Sequence, residues 1–165
     1  MIIWINGSFG VGKTSTAKLL KSKLDKSIIY DPEEIGGFLS SLFNYEKDDF
    51  QDYELWRTLN SDILKYMCSI YETIIVPMTI TNNHYYKEIV NQLEISGIKI
   101  NHFILCASKE NIIRRLDSRE NSTEWAYSQV DKCINTFESN KFKGKKINTD
   151  NMTVSDVVNI IIASI

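Results

Sequence analysis

Gly7-Ser8-Phe9-Gly10-Val11-Gly12-Lys13-Thr14 sets two glycines, an ammonium and a hydroxyl at the spacing G-x-x-x-x-G-K-[ST], directly behind the apolar run Met1 to Ile5. The chemistry this spacing serves is the binding of a polyphosphate. Glycines let the backbone wrap with its N–H groups turned inward, which makes a concave anion nest. A helix predicted to begin near Lys13 adds its positive end to the same point. Lys13 is a compact cation able to reach the β- and γ-phosphates. The Thr14 hydroxyl is an oxygen ligand for Mg²⁺, a metal that takes oxygen and keeps several waters. Gly7, Ser8, Phe9, Gly10, Val11, Gly12, Lys13, Thr14 and Ser15 are therefore the candidate nucleotide-binding residues.

Further chemistry is sought where each predicted strand ends, because ligands of open α/β sheets bind beyond the carboxyl ends of the strands. The second strand is followed by Tyr30-Asp31-Pro32-Glu33, the third by Pro77-Met78-Thr79 and Thr81, the fourth by Ser108, and the fifth by Thr149-Asp150-Asn151. These groups should converge on one rim. Asp31 is the first carboxylate there after the glycine-rich loop. It can orient a metal-bound water, accept the proton of an attacking hydroxyl, or simply form the turn that Asp-Pro favours. The third strand ends without an acid, so the usual second Mg²⁺ carboxylate is missing there. Glu33 and Glu34 read as first-turn helix charges.

Arg114, Arg115 and Arg119 flank a polar stretch after the fourth strand. Arg115 and Arg119 are spaced to project together from a helix end. They read either as a short cationic lid over a migrating phosphoryl group or as a solvated helix face. Arg57 reads equally as an acceptor contact or as a surface ion pair with Glu54 or Asp62. Asp31, Arg57 and Thr79 are the candidate acceptor-binding residues. Trp56 reads as core. His84 and His102 form no triad or metal set and read as structural or surface residues. No Asp-x-x-Gly occurs, and Asn148-Thr149-Asp150 lacks the Asn-Lys-x-Asp pattern that reads guanine. ATP is the default phosphoryl donor.

The elements that must position these residues alternate between apolar runs and stretches of helical period, which predicts a parallel sheet with crossover helices. Strands are expected at Ile2–Asn6, Ser27–Tyr30, Thr73–Val76, Ile100–Ala107 and Lys146–Thr149. A helix starts near Lys13. Glu33 to Phe43 is a weak helix that Gly36-Gly37 should make irregular or mobile. Gln51 to Tyr71 is the clearest helix, with Trp56, Leu59, Ile63, Met67 and Ile70 stepping by three or four. Tyr85 to Ser96 is a helix closed by Gly97. Lys109 to Leu116 follows a Ser108 cap, Glu124 to Phe137 forms one helix, and Thr153 with Asp156 opens the last, Val154 to Ser164.

A chain of 165 residues, 43% hydrophobic and 24% charged, predicts one soluble globular domain spanning 1–165. The formal net charge of −2 offers no basic field for general nucleic-acid binding. Lys141 to Lys146 reads as a solvated loop. The three cysteines share no metal-ligand spacing and fit a reduced, cytoplasmic compartment. No basic leader precedes the first strand, and no apolar stretch is long enough for a bilayer-spanning helix.

Beyond the loop, several segments resemble the bacterial tunicamycin-resistance ATP-binding protein family, in register from residue 1 to about residue 160. They are Met1-Ile2-Ile3-Trp4-Ile5-Asn6-Gly7, Tyr30-Asp31-Pro32-Glu33, Asp48-Asp49-Phe50-Gln51, Leu55-Trp56-Arg57, Val76-Pro77-Met78-Thr79-Ile80, Ala107-Ser108-Lys109-Glu110 and Thr149-Asp150-Asn151. The resemblance implies a branch of the P-loop small-molecule kinases, a three-layer α/β sandwich with a five-stranded parallel sheet in the order 2-3-1-4-5 and a short lid. It implies that Asp31 meets the acceptor hydroxyl, that Arg115 and Arg119 form the basic lid, and that Asp150 and Asn151 lie near adenine. ATP and Mg²⁺ are the expected cofactors. The expected partner is a small-molecule acceptor with a hydroxyl, tunicamycin-like or nucleoside-like. A nucleotide-gated binding protein or plain ATPase is the alternative reading.

Overall fold

The computed structural model describes residues 1–120, 122–139 and 141–165. Strands β1 (Ile2–Gly7), β2 (Ser27–Ile29), β3 (Thr73–Pro77), β4 (Ile100–Cys106) and β5 (Lys145–Asn148) pair in parallel in the order β2-β3-β1-β4-β5. This is the expected order. Helices α1 (Lys13–Lys23), α2 (Pro32–Leu42), α3 (Glu54–Met67), α4 (Asn83–Ile95), α5 (Lys109–Asp117), α6 (Glu124–Ser128), α7 (Val130–Glu138) and α8 (Val154–Ile162) complete three layers.

Strand β1 shows why the sheet needs helices on both faces. Ile2 and Trp4 point into a core with Trp56 and Leu64 of α3, Ile89 and Leu93 of α4, and Phe137 of α7. Ile3 and Ile5 point the other way, into a core with Ala17 and Leu20 of α1 and Val157, Val158 and Ile161 of α8. A central parallel strand covered twice reads as an unbroken apolar run. Each such side chain contributes roughly 1.5–3 kcal/mol on burial. A smaller cluster of Ile112, Leu116, Ala126 and Val130 joins α5, α6 and α7, and Phe9 of the glycine-rich loop packs against it. The segment after β4 is thereby fastened to the loop.

Four expectations about elements are corrected. Gly36-Gly37 does not interrupt α2, which runs unbroken from Pro32 to Leu42. The helix that was expected to start at Gln51 starts at Glu54, because Phe50–Asp52 forms a 3-10 turn capped by Asp49, and it ends at Met67. The helix expected from Tyr85 starts at Asn83, because Asn82 accepts hydrogen bonds from the N–H groups of His84 and Tyr85. The single helix expected over Glu124 to Phe137 divides at Gln129 into α6 and α7. Neither Gly nor Pro marks that break.

The expected capping box of Thr153 and Asp156 is present, as is Gly97 at φ 76° after α4. His102 stacks on Tyr86 at 4.5 Å, and burial pushes its pKa down to about 4, so it stays neutral in the core. His84 is exposed and faces Glu88 at 3.0 Å.

Candidate functional site

Strand β1 delivers the chain into the loop through Asn6, which is fully buried. Its side-chain oxygen accepts from the N–H of Gly7 (2.9 Å) and of Ile80 (3.0 Å), and its amide donates to the Ile80 carbonyl (3.0 Å). One amide thus fixes the start of the loop to the end of β3. Gly7 is required here. A Cβ on it would stand 2.5 Å from the Leu105 carbonyl oxygen, and its φ is 143°. Gly12 has φ 106° as the residue before α1, a conformation that L side chains rarely adopt.

Lys13 opens α1. Its Nζ donates to the carbonyls of Gly7 (3.0 Å) and Ser8 (2.9 Å) and lies 5.3 Å from the Phe9 ring centroid. The side chain keeps some solvent-facing surface, but its ammonium is enclosed by the loop. Burial lowers its pKa to about 8, against the opposing pull of the Glu33 carboxylate. Thr14 and Ser15 are exposed in the first turn of α1, with hydroxyls available to a ligand.

Asp31 caps α2, its Oδ1 accepting from the Glu33 N–H at 3.0 Å. Pro32 at the first helical position and Asp31 before it are a helix-start pair, which is why the chain turns here. The Trp56 indole N–H donates to the Pro32 carbonyl at 3.0 Å and pins this start against α3. Asp31, Glu33, Lys13, Thr14, Pro77 and Arg119 line one cavity of about 130 Å³ with the loop backbone at Phe9, Gly10 and Gly12. Much of the Glu33 side chain faces solvent. Even so, burial in the cavity mouth and then the Asp31 charge push its carboxyl pKa up, with Lys13 opposing. Glu33 is thus a second carboxylate of the site, beyond the first-turn helix charge expected of it.

A second cavity, of about 370 Å³, adjoins the loop on its other side. Gly10 to Gly12, Ser15 and Thr16 form one wall, Arg115, Ser118 and Arg119 another, and Thr149, Met152, Thr153, Val154 and Val157 the third. Arg119 borders both cavities. Arg115 is tied down: its guanidinium donates to Thr149 Oγ1 (2.9 Å), the Thr149 carbonyl (2.7 Å) and the Val11 carbonyl (3.3 Å). Arg115 and Arg119 share a wall of the larger cavity. Arg115 also braces the loop against the end of β5, while Arg119 alone of the two borders the smaller cavity. Arg114 donates to Asn111 on the exposed side of α5.

Asp150 and Asn151 are absent from the walls of this cavity, where Met152, Thr153 and Val154 stand instead. Asp150 Oδ1 accepts from the Ser108 N–H (2.8 Å), the Ser108 hydroxyl (3.1 Å) and the Asn111 amide (2.8 Å). Desolvation opposes ionisation, but these hydrogen bonds outweigh it and hold the Asp150 pKa below the usual carboxylate range. Asp150 fastens β5 to the start of α5.

Thr79 is 3% exposed, and its hydroxyl donates to the Gly7 carbonyl at 2.9 Å, so it supports the loop from within. Arg57 pairs with Glu88, in place of the expected Glu54 or Asp62. It also donates to the Gln51 carbonyl (2.6 Å) and lies 4.2 Å from the Tyr85 ring centroid. It lines a groove between α3 and α4 and is not among the residues around Lys13. Asn6 and Gln51 enter the sequence reading within segments that carry the resemblance, with no individual role. Both are buried neutral amides.

A parallel sheet in this order, with a glycine-rich loop running from β1 into α1, defines a P-loop kinase-like, nucleotide-binding domain. The family model described as an AAA domain matches residues 2–139. The tunicamycin resistance protein of Deinococcus radiodurans is 31% identical over 99% of this chain and 94% of that one, with a TM-score of 0.82. The chain belongs to the AAA domain family and to that of the tunicamycin resistance protein. Lower identities mark likeness of fold alone. A sugar kinase from Janibacter sp. HTCC2649 is 15% identical (98% and 92% covered, TM-score 0.71). A gluconokinase from Sinorhizobium meliloti 1021 is 14% identical (98% and 89% covered, TM-score 0.69). No curated protein matches the chain.

Proposed function

We propose that the chain is an ATP- and Mg²⁺-dependent phosphotransferase that moves the γ-phosphoryl group to a hydroxyl of a small molecule in the cytoplasm. The observation that carries this reading is the single cavity in which Lys13, Thr14, Asp31, Glu33 and Arg119 meet at the mouth of the glycine-rich loop. It brings together two cations for phosphate, a hydroxyl for the metal and two carboxylates on the acceptor side.

Lys13 and the loop N–H groups hold the β- and γ-phosphates. The adenosine part of the donor occupies the larger cavity, between the loop and the Thr149 to Val157 wall. Asp31 orients the acceptor hydroxyl and takes its proton as the oxygen attacks phosphorus and ADP leaves. Glu33 has the raised pKa that suits a group sharing that proton. Arg119 neutralises charge on the migrating phosphoryl group and shields it from water. Thr14 and Asp31 offer the oxygen donors that Mg²⁺ prefers. Among the described residues no three His, Cys, Asp or Glu side chains form a ready metal cage, so phosphate oxygens and water would complete the shell. The bound ion would offset the negative charge of the phosphates.

The name of the relative from Deinococcus radiodurans supports a tunicamycin-like or nucleoside-like acceptor. The test is incubation with Mg-ATP and a panel of tunicamycin and nucleosides, read by mass spectrometry for the mass of one added phosphoryl group. Asp31→Asn should bind ATP nearly as well as the parent while turnover falls by about 10²–10⁴-fold. Turnover that survives this change would remove Asp31 from the role of base.

A second reading draws on the end of β3. Pro77 lines the cavity there and Thr79 is bonded to Gly7, so β3 supplies no acid beside the phosphates. A protein that holds nucleotide and drug without transfer, or a plain ATPase, would form ADP at most and leave every acceptor unmodified.

A further inference from the structure

The Gly7 carbonyl accepts two hydrogen bonds, from Lys13 Nζ at 3.0 Å and from the Thr79 hydroxyl at 2.9 Å. The two donors differ in freedom. Lys13 sits on a flexible stem and already shares its ammonium with the Ser8 carbonyl. Thr79 is buried and β-branched, so its χ1 is stiff. Its own carbonyl accepts from the Gln51 side-chain amide at 3.0 Å. Gln51 is buried too, and its carbonyl accepts from Arg57 at 2.6 Å. A line of hydrogen bonds therefore runs from Arg57 and its Glu88 partner through Gln51 and Thr79 to the first glycine of the loop.

This arrangement bears on what happens when the loop fills, and it rests on the reading that the ligand is a nucleoside triphosphate. To reach the β- and γ-phosphates, Lys13 must leave the carbonyls it now contacts. A buried carbonyl left without a donor bears the full cost of its desolvation. Thr79 is the donor that stays. We infer that Thr79 and Gln51 are positioning residues of the nucleotide site, which keep the Gly7 carbonyl bonded and in place when Lys13 is released to the phosphates.

The inference separates the filled protein from the empty one. In the empty protein Lys13 still serves Gly7, so loss of the Thr79 hydroxyl is compensated. With ATP bound it is not. AMP has no β- or γ-phosphate to draw Lys13 away, so its binding should be indifferent to the change. Calorimetry of Thr79→Val should therefore show Mg-ATP binding about tenfold weaker than in the parent. AMP binding should be unchanged, and the melting temperature of the empty protein should stay within about 3 °C. Thr79→Ser, which keeps the hydroxyl, should restore ATP affinity.

Gln51→Met removes the amide beneath Thr79 without touching the hydroxyl, so it tests the same claim if Thr79→Val fails to fold. We expect about threefold weaker Mg-ATP binding and unchanged AMP binding. A parent-like ATP affinity in Thr79→Val with a lowered melting temperature would assign Thr79 to stability alone and overturn the inference. So would a parent-like ATP affinity in Gln51→Met where Thr79→Val does not fold. Failure of the unmodified protein to bind Mg-ATP is a separate result, and it would overturn the nucleotide reading together with this one.

Discussion

Lys13 concentrates the electrostatics of the site in one titratable group. Burial lowers its pKa to about 8, and phosphate oxygens would raise it on binding. Nucleotide binding is then linked to proton uptake. Affinity for ATP should be greatest below pH 8 and fall as the pH rises through that value, by up to about tenfold per unit. Calorimetric titrations from about pH 7 to about pH 10 would show this, and a flat profile would contradict it. At this scale the loop was legible because its chemistry allows few residue types at fixed spacing. Asp31 was legible as the acid that follows a strand. Glu33 was under-read because an acid in a first helical turn also suits the helix dipole. Asn6 and Gln51 stood inside segments that carry the resemblance, but no residue spacing gave either one a role. Asp150 and Asn151 do not line the larger cavity, whose wall in that segment is Met152, Thr153 and Val154.

Helix α2 carries the acid, and two adjacent glycines in it do different things. A Cβ on Gly36 would stand 2.5 Å from the Phe50 ring, whereas one on Gly37 meets nothing within 4 Å. Gly36 is thus a contact point where the 3-10 turn Phe50–Asp52 presses against α2, and that turn also carries Gln51. Gly36→Ala should destabilise by about 1–3 kcal/mol through overpacking. Gly37→Ala should stabilise by about 0.5–1 kcal/mol, because it removes backbone freedom from the unfolded chain. Thermal unfolding of the two variants tests the contrast. Equal shifts of the same sign would show that Phe50 yields freely and that the contact does not set the position of α2. Propensity alone suggested an irregular segment here, since it cannot see a neighbour distant in sequence. The early start of α4 and the late start of α3 have different origins. Asn82 caps α4 directly, whereas Asp49 caps the 3-10 turn Phe50–Asp52, after which α3 starts behind Tyr53 with no side-chain cap.

The sheet order brings the residues of the candidate site together. β1 and β3 are neighbours, so the loop after β1 and the residues after β3 meet at Asn6, Ile80 and Thr79. β4 flanks β1 on the other side, and its parallel pairing with β5 brings Thr149 within reach of Arg115. Strand identities and their alternation with helices were legible from apolar runs and period. The division of α6 from α7 at Gln129 was not, because neither Gly nor Pro marks it in the sequence. No helix is long and apolar enough to cross a membrane among the described residues.

The most direct measurement is calorimetric titration of the purified protein with Mg-ATP, repeated with Lys13→Ala. We expect saturable binding at one site, with affinity falling by at least about tenfold in the variant, in keeping with the loss of a charge-assisted phosphate contact. Absence of binding by any adenine or guanine nucleotide, with or without magnesium, or equal affinity in Lys13→Ala, would contradict the assignment of the glycine-rich loop as a triphosphate site.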